Sequence, residues 1–512
     1  MNQILKPNAR DSRDVLLDAV ASYLDKPGSV GSLINGLICT GEGAQIELFD
    51  PCTGSSFVSI QDAGVPLVQK ACVVAEEGSR AWRSFTASER GRILYRVASL
   101  VRRDQEQLAV IEALNVGKPI GDARAEVLKV AEMFEYYSGW ADKIHGDVIP
   151  VPTSHFNHTL KQPYGVVLVI TPWNAPLFVA GWNVAPALAA GNSILLKPSE
   201  HTPFTSIALG RLLIEAGVPK SAVGVLIGLG QTTGAAAVKH DIVRKVTFVG
   251  SPETGRRIAT LCAEGLKGSV LELGGKSANI MFADSDLDKA VGGAAAAIFS
   301  NAGQSCVAGS RLLVQSTCYD EVVERLASLT SRIVVGHPLS AGSQVGPIQN
   351  RRQFELVDSM VSRAKANGAT VFAGGSRSPL FDTGYFFAPT VLGNIRNSDE
   401  IAQDEIFGPV VAVIPFADED DAIAIANDTK FGLAGAVWTK DVGRAIRVAR
   451  SIDAGTVWVN SYKSINVMTP FGGFKESGYG RSSGRDGLEE YLQTKSVWFE
   501  SAKEPVFSFG YG

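Results

Sequence analysis

Between Gly165 and Leu196 the chain runs 32 residues without one charged side chain. A membrane span needs about 20 apolar residues in one uninterrupted helix. This stretch is instead broken by Pro172, Pro176, Gly181, Pro186 and Gly191 and by three asparagines. It reads as strand, helix and strand in a buried layer, because 165–171 and 193–197 are near-continuous apolar runs of the kind found in parallel sheets covered on both faces. The alternation goes on through helix 205–216, strand 224–227, a helix, strand 245–248 and another helix. A second alternation opens at strand 269–273 and runs to about 475, with helices at 284–299, 319–333, 351–367, 418–427 and 441–452. Strands and helices alternating at these lengths predict the α/β class, with two doubly wound open sheets.

The remaining segments are read in the same way. Residues 1–32 form an arm with a helix at 13–24, ended by Lys26-Pro27-Gly28. A strand and turn follow from Gln45, then three amphipathic helices across 66–145, among them 89–107 and 121–141, then a strand-rich stretch at 147–162. At ~150 residues per domain, the length allows about three domains.

Lys plus Arg number 48 and Asp plus Glu 52, for a net charge of −4. With no long run of one sign, the chain is not expected to bind nucleic acid or an acidic membrane surface. The six cysteines show no CxxC spacing, so neither a disulfide framework nor a zinc site is indicated. His155 and His158 have no carboxylate cluster beside them, and no metal site is predicted. The first twenty residues lack an apolar core and a cleavage site, which together with reduced thiols predicts a cytoplasmic protein.

Five segments carry chemistry. Gly228-Leu-Gly230-Gln-Thr-Thr-Gly234 follows a strand and opens a helix, a setting for a phosphate or for a plain turn. In Val246-Thr-Phe248-Val-Gly250-Ser251-Pro252-Glu253, Ser251 fits a helix N-cap and Pro252 the first helical position, while Glu253 would repel a phosphate. Cys306 lies in Asn301-Ala-Gly-Gln-Ser305-Cys306-Val307, a small polar turn after an apolar helix, where a thiol is either a nucleophile or a buried hydrophobe. Glu272 ends an apolar strand before Leu273-Gly274-Gly275-Lys276, as a base or as a solvated partner of Lys276. Thr171-Pro172-Trp173-Asn174 stands at the carboxyl end of a strand, the edge where open sheets place ligands. There Asn174 either donates to an oxyanion or caps a helix.

In order and approximate separation, TPWNAP, LLKPSE, FVGSPETG, LELGGK, NAGQSC, EIFGPV and PFGGFKESGYGR resemble the aldehyde dehydrogenase superfamily from about Ile34 to Val497. The resemblance implies an NAD-binding domain (33–146 and 166–271), a catalytic domain (272–481) and an oligomerisation flap with the C-terminal strand (147–165 and 482–512). It implies Cys306 as nucleophile, Asn174 and the Cys306 N–H as oxyanion donors, and Glu272 as the base that activates water against a thioester. Lys197 and Glu200 would meet the adenosine ribose, Gly230 and Ser251 the adenine and pyrophosphate, and Glu405 the nicotinamide ribose. Thr171, Pro172, Trp173, Ser199, Gly234, Phe248, Gly250, Leu273 and Phe407 complete the cofactor site. NAD is expected over NADP, because Glu200 would repel a 2′-phosphate.

The same resemblance places Lys129, Val179, Trp182, Phe299, Ser300, Ser305, Val307, Lys463 and Ile465 around the aldehyde tunnel. That is an apolar sleeve with room beside Cys306 and two cations towards the mouth, suited to a wide, aromatic or carboxylate-bearing aldehyde. Assembly as a homodimer or homotetramer is implied. Three other readings stay open: a CoA-acylating relative, which usually lacks the glutamate of LELGGK; a cofactor-independent thiol hydrolase; and a non-catalytic protein on this scaffold. One departure stands out. After Gly480-Arg481, where many relatives carry an acid and a bulky residue, this chain has Ser482-Ser483, expected to alter local contacts of Arg481 and to leave the chemistry untouched.

Overall fold

A computed structural model describes residues 11–26 and 28–504. The start of the arm, Pro27 as a helix stop and the end of the 482–512 stretch lie outside the described residues. Two open sheets carry the chain. The first has eight strands in the order Leu37–Cys39, Ser32–Ile34, Val223–Val225, Ser193–Lys197, Val166–Ile170, Val243–Val249, Gly268–Glu272 and Gly478–Tyr479. The second has seven, in the order Thr370–Ala373, Thr390–Gly393, Val410–Phe416, Arg311–Gln315, Ala278–Met281, Ala434–Trp438 and Thr456–Val459.

The uncharged stretch supplies the centre of the first sheet. Val166–Ile170 and Ser193–Lys197 are parallel neighbours, buried at every position. The helix Pro176–Ala189 between them starts on a proline, whose fixed φ suits the first turn. Gly181 lets that helix approach the helix Ile120–Ser138, since a Cβ there would stand 2.8 Å from Val130 Cγ1. Among the described residues, no helix is long and apolar enough to cross a membrane.

Three readings change. The strand taken to open the second alternation, Gly268–Glu272, belongs to the first sheet, in parallel register with Val243–Val249 and with Val249 beside Glu272. The region 66–145 holds four helices rather than three, because the expected 89–107 helix breaks at Asp104, whose carboxylate is held by Tyr23 Oη (2.9 Å) and Arg103. The first helix, Ser12–Ala21, is capped by Asp11 and ends before Leu24. Gln107 Nε2 takes the Ala19 carbonyl and the Ser22 hydroxyl there (2.6 and 2.7 Å), which turns the chain.

Outside both sheets, Leu492–Glu500 pairs antiparallel with His155–Pro163, which pairs with Val148–Ile149. The helix Gly484–Glu489 just before it lies against Pro176–Ala189 instead.

Candidate active site

Two glycines bring three distant segments together. Gly275 faces the main chain of Cys306 so closely that a Cβ would run into the Cys306 carbonyl oxygen, and a Cβ on Gly274 would strike the Glu405 carboxylate. Gly275 N donates to Glu405 Oε1 at 3.0 Å. The loop after Glu272 is thus clasped between the cysteine turn and Glu405, and Gly250 N donates to the Glu272 carbonyl from the other side (3.1 Å). The turn at Asn174 closes the site: Asn174 Nδ2 donates to the Gln304 carbonyl (2.9 Å), and the Trp173 ring stands edge-on to Phe407 at 5.2 Å. Asn174 makes no helix cap; the helix that follows begins after Ala175 without one.

Glu272 is not a solvated strand end. It is 5 % exposed, and neither carboxylate oxygen has a hydrogen-bond partner among the described residues. Burial pushes its carboxyl up to about 8, against the pull of the Ser482 hydroxyl and the Arg481 charge. Lys276 does not pair with it; that ammonium is itself buried without a hydrogen bond among the described residues, and burial lowers it to about 7. Ser482, expected to leave the chemistry untouched, faces this base. Its main chain is fixed by two hydrogen bonds with Phe471 (2.7 and 2.8 Å), and its hydroxyl, like the carboxylate it faces, has no hydrogen-bond partner among the described residues.

Cys306 is the partly exposed cysteine in this group. Enclosure by protein and the charges of Glu405 and Glu272 push its thiol up to about 12, while Lys463 pulls the other way. Burial likewise raises Glu405, to about 7.

The carboxyl ends of the first sheet carry the residues expected to line a dinucleotide groove. Buried Lys197 sits 3.6 Å from Glu200, and the Ser199 hydroxyl accepts from His201 N (3.3 Å). Ser251 Oγ accepts from Thr254 N, so the helix Pro252–Glu264 starts as expected, and Glu253 is taken up by Arg257 (2.6 Å). Gly230 has open space where a Cβ would lie, and Gly234 lies beside the Lys197 stem. Thr171 Oγ1 is buried without a partner, leaving a polar atom for a ligand to satisfy. Phe248 and Leu273 are buried beneath the groove, each packed under a glycine, Gly250 and Gly255. Pro172 is partly exposed at its rim.

In the tunnel region Val179, Trp182, Phe299 and Val307 are buried and Ile465 partly so. Ser300 bonds back to the Ala296 carbonyl (2.7 Å), and Ser305 is partly exposed. Lys129 is turned to the surface, paired with Glu132 at 2.7 Å. Lys463, at φ +56°, has neither hydrogen bond nor ion pair among the described residues. Burial lowers its ammonium to about 8, although Cys306, Asp122 and Glu126 favour the charge.

Sequence reasoning missed several residues here. Phe178 packs on Trp182 (4.8 Å) and Trp182 on Phe471 (5.1 Å); the four-residue spacing of Phe178 and Trp182 on one helix was the available signal. Asp62 grips the glycine loop from behind, accepting from Leu229 N (3.1 Å), Gly64 N (2.9 Å) and the Thr232 and Thr233 hydroxyls. No local pattern links residues so far apart in the chain.

A family model described as the aldehyde dehydrogenase family matches residues 38–497. Retinal dehydrogenase 2 from Homo sapiens is 42% identical over 460 residues, covering 89% of this chain and 88% of that protein. Aldehyde dehydrogenase family 2 member B4, mitochondrial, from Arabidopsis thaliana is 43% identical over 472 residues, covering 91% and 87%. Among solved structures, betaine aldehyde dehydrogenase from Staphylococcus aureus in complex with NAD+ superposes with a TM-score of 0.93 at 35% identity, over 98% of this chain and 100% of that one. The match runs through every segment that the fold assembles around Cys306, and the chain belongs to the aldehyde dehydrogenase family.

Proposed function

We propose that this protein oxidises an aldehyde to its carboxylic acid with NAD, through a thioester on Cys306 that water hydrolyses. The observation that carries the reading is the buried, unpartnered carboxylate of Glu272 on the same loop that touches the Cys306 main chain. NAD, when bound, supplies the acceptor for the hydride. Lys197 and Glu200 would hold its adenosine ribose, the Gly230 and Ser251 segments its adenine and pyrophosphate, and Glu405 its nicotinamide ribose. The acid at Glu200 supports NAD over NADP, since it would repel a 2′-phosphate.

The chain's own groups do the rest. Cys306, its thiol proton passing to solvent at the partly exposed sulfur and the anion favoured by the Lys463 charge, attacks the carbonyl carbon; the Asn174 amide and Cys306 N–H hold the resulting oxyanion, whose collapse to the thioester would release a hydride to NAD. Glu272 then takes a proton from water, which attacks the thioester carbon; the acid leaves and the thiolate returns. Cys306→Ala should abolish NADH formation, including the first-turnover burst, while NAD binding and thermal unfolding stay as in the parent. More than trace dehydrogenase activity in that variant would remove the assignment.

The sleeve of Val179, Trp182, Phe299, Val307 and Ile465, with small Ser300 and Ser305 beside Cys306, suits a wide or ring-bearing aldehyde. With Lys129 engaged by Glu132, Lys463 is the cation left for a carboxylate at the far end of the substrate. A contact of this kind contributes ~0.2–1 kcal/mol when partly solvated, so the expected preference is several-fold. It is read as kcat/KM for a carboxylated aldehyde against its methyl ester, before and after Lys463→Met; a preference that survives the substitution discards the idea. Assembly as a homodimer or homotetramer is part of the same reading, supported by the exposed aromatic face of the Leu492–Glu500 sheet.

A further inference from the structure

Three consecutive residues before the nucleophile are left-handed. Asn301, Ala302 and Gly303 have φ of +53°, +54° and +73°. Asparagine tolerates this region and glycine enters it freely, but Ala302 carries a Cβ that opposes it. Gly303 has a second constraint, since a Cβ there would collide with the Gly408 carbonyl. The turn is therefore pressed against the segment after Glu405 and must be held in place.

Gln304, 1 % exposed, holds it. Its main-chain N and its Nε2 both donate to the Asn301 carbonyl, each at 3.1 Å, which closes the turn on itself. Its Oε1 accepts from Gln349 N (2.8 Å), tying the turn to the segment that leads into the helix Arg351–Ala366. Its carbonyl accepts from Asn174 Nδ2 (2.9 Å) and from Asn301 Nδ2 (3.2 Å), and Asn301 Nδ2 also reaches the Asn174 carbonyl (3.2 Å). An asparagine amide has two hydrogens on one planar nitrogen. With one fixed on the Gln304 carbonyl, the plane of the Asn174 amide is set and the other hydrogen is left for a ligand.

We infer that Gln304 is a positioning residue: its side chain locks the left-handed turn, and its carbonyl thereby aims the Asn174 amide at the oxyanion before substrate arrives. This rests on the reading of Asn174 as an oxyanion donor. The group matters for rate rather than for substrate affinity, because a donor fixed in advance acts on charge that develops only during attack.

The test uses the full-length enzyme and the pre-steady-state NADH burst. Gln304→Met keeps the length of the side chain and removes its hydrogen bonds. It should slow the burst by about 10²-fold, the scale of a misaimed donor, while NAD affinity and the aldehyde Kd, read from the concentration dependence of the burst rate, move by less than about threefold. In a cycle with Asn174→Ala, the penalty of losing Asn174 should shrink to a few-fold in the Gln304→Met background, since an amide already misaimed has little left to lose. Asn301→Gly, which permits the left-handed turn and removes two of the amide contacts, should show the same coupling and serves if Gln304→Met does not fold. A burst within threefold of the parent, penalties that multiply in full, or NAD affinity and aldehyde Kd worsening as much as the burst would each overturn the inference. An Asn174→Ala enzyme with a normal burst would overturn the oxyanion reading itself, a different failure from full multiplication on top of a severe Asn174→Ala defect.

Discussion

At the scale of single residues the site is a set of groups displaced from their ordinary ionisation by burial. Glu272, with its carboxyl near 8, holds its proton through most of the neutral range and acts as a base only after losing it. Thioester hydrolysis should therefore rise by up to tenfold per pH unit below about 8 and level off above it, provided that step limits turnover. Glu272→Gln should flatten that rise and slow turnover by about 10²–10⁴-fold, the usual cost of losing a general base. A stoichiometric burst of NADH should remain, because the first half of the reaction does not need water. Stopped-flow absorbance over pH 6 to 9.5 reads both; loss of the burst would mean that Glu272 acts earlier, on the thiol. The turns of Cys306 and Asn174 were legible as small rigid segments, but each segment alone left two readings open, nucleophile or buried hydrophobe for Cys306 and oxyanion donor or helix cap for Asn174. Ser482 was not, since its place beside Glu272 comes from a bridge to Phe471 that no local spacing announces.

Among the elements, the helix Pro252–Glu264 starts as its sequence dictates and stops against it. Leu266 N donates to the Ala263 carbonyl (3.1 Å) and Lys267 N to the Cys262 carbonyl (2.9 Å), the two bonds of a Schellman ending. The first of the two donors takes a left-handed conformation and is normally glycine, yet here it is Leu266 at φ +49°, 96 % exposed. The leucine buries almost nothing to offset that conformation. Leu266→Gly removes a strain of ~1–2 kcal/mol and adds ~0.5–1 kcal/mol of chain entropy lost on folding, so the net change should be a stabilisation of up to about 1.5 kcal/mol. The urea midpoint of unfolding should move up with the slope unchanged, and a downward shift would show that Leu266 has a partner in the assembled protein. The helices and strands themselves were largely legible, because periodicity and caps are local. Membership of a sheet was not: 268–272 has the same apolar pattern whichever sheet it joins, and only its register with Val243–Val249 decides. The break at Asp104 was hidden for the same reason, since Tyr23 lies 81 residues away.

On the scale of the whole molecule, the two sheets meet along a seam, and the groups proposed to act on substrate and cofactor are drawn from both sides of it. Glu272 arrives on an edge-side strand of the first sheet, while Cys306 and Glu405 come from segments leading into strands of the second. Seven ordered motifs named the participants, but the seam that makes them neighbours is a property of packing. A third body stands apart from both sheets, the three strands ending in Leu492–Glu500. On one of its faces Phe156 packs against Phe499 (6.2 Å) and His158 stacks on the same ring (5.6 Å), yet Phe156 and Phe499 remain 47 % and 52 % exposed, and Leu160 on that face 41 %. Isolated exposed apolar side chains are ordinary, but a contiguous aromatic face on an outlying sheet marks a contact surface. If this face is covered by a second copy of the chain, its burial contributes to assembly and leaves the seam untouched. Phe156→Ser with Phe499→Ser should then convert the native dimer or tetramer into a smaller species in sedimentation velocity at micromolar concentration, with Cys306 still giving a burst of NADH in each chain. A parent protein that sediments as a monomer, or a double variant of unchanged mass, would assign the face to some other contact.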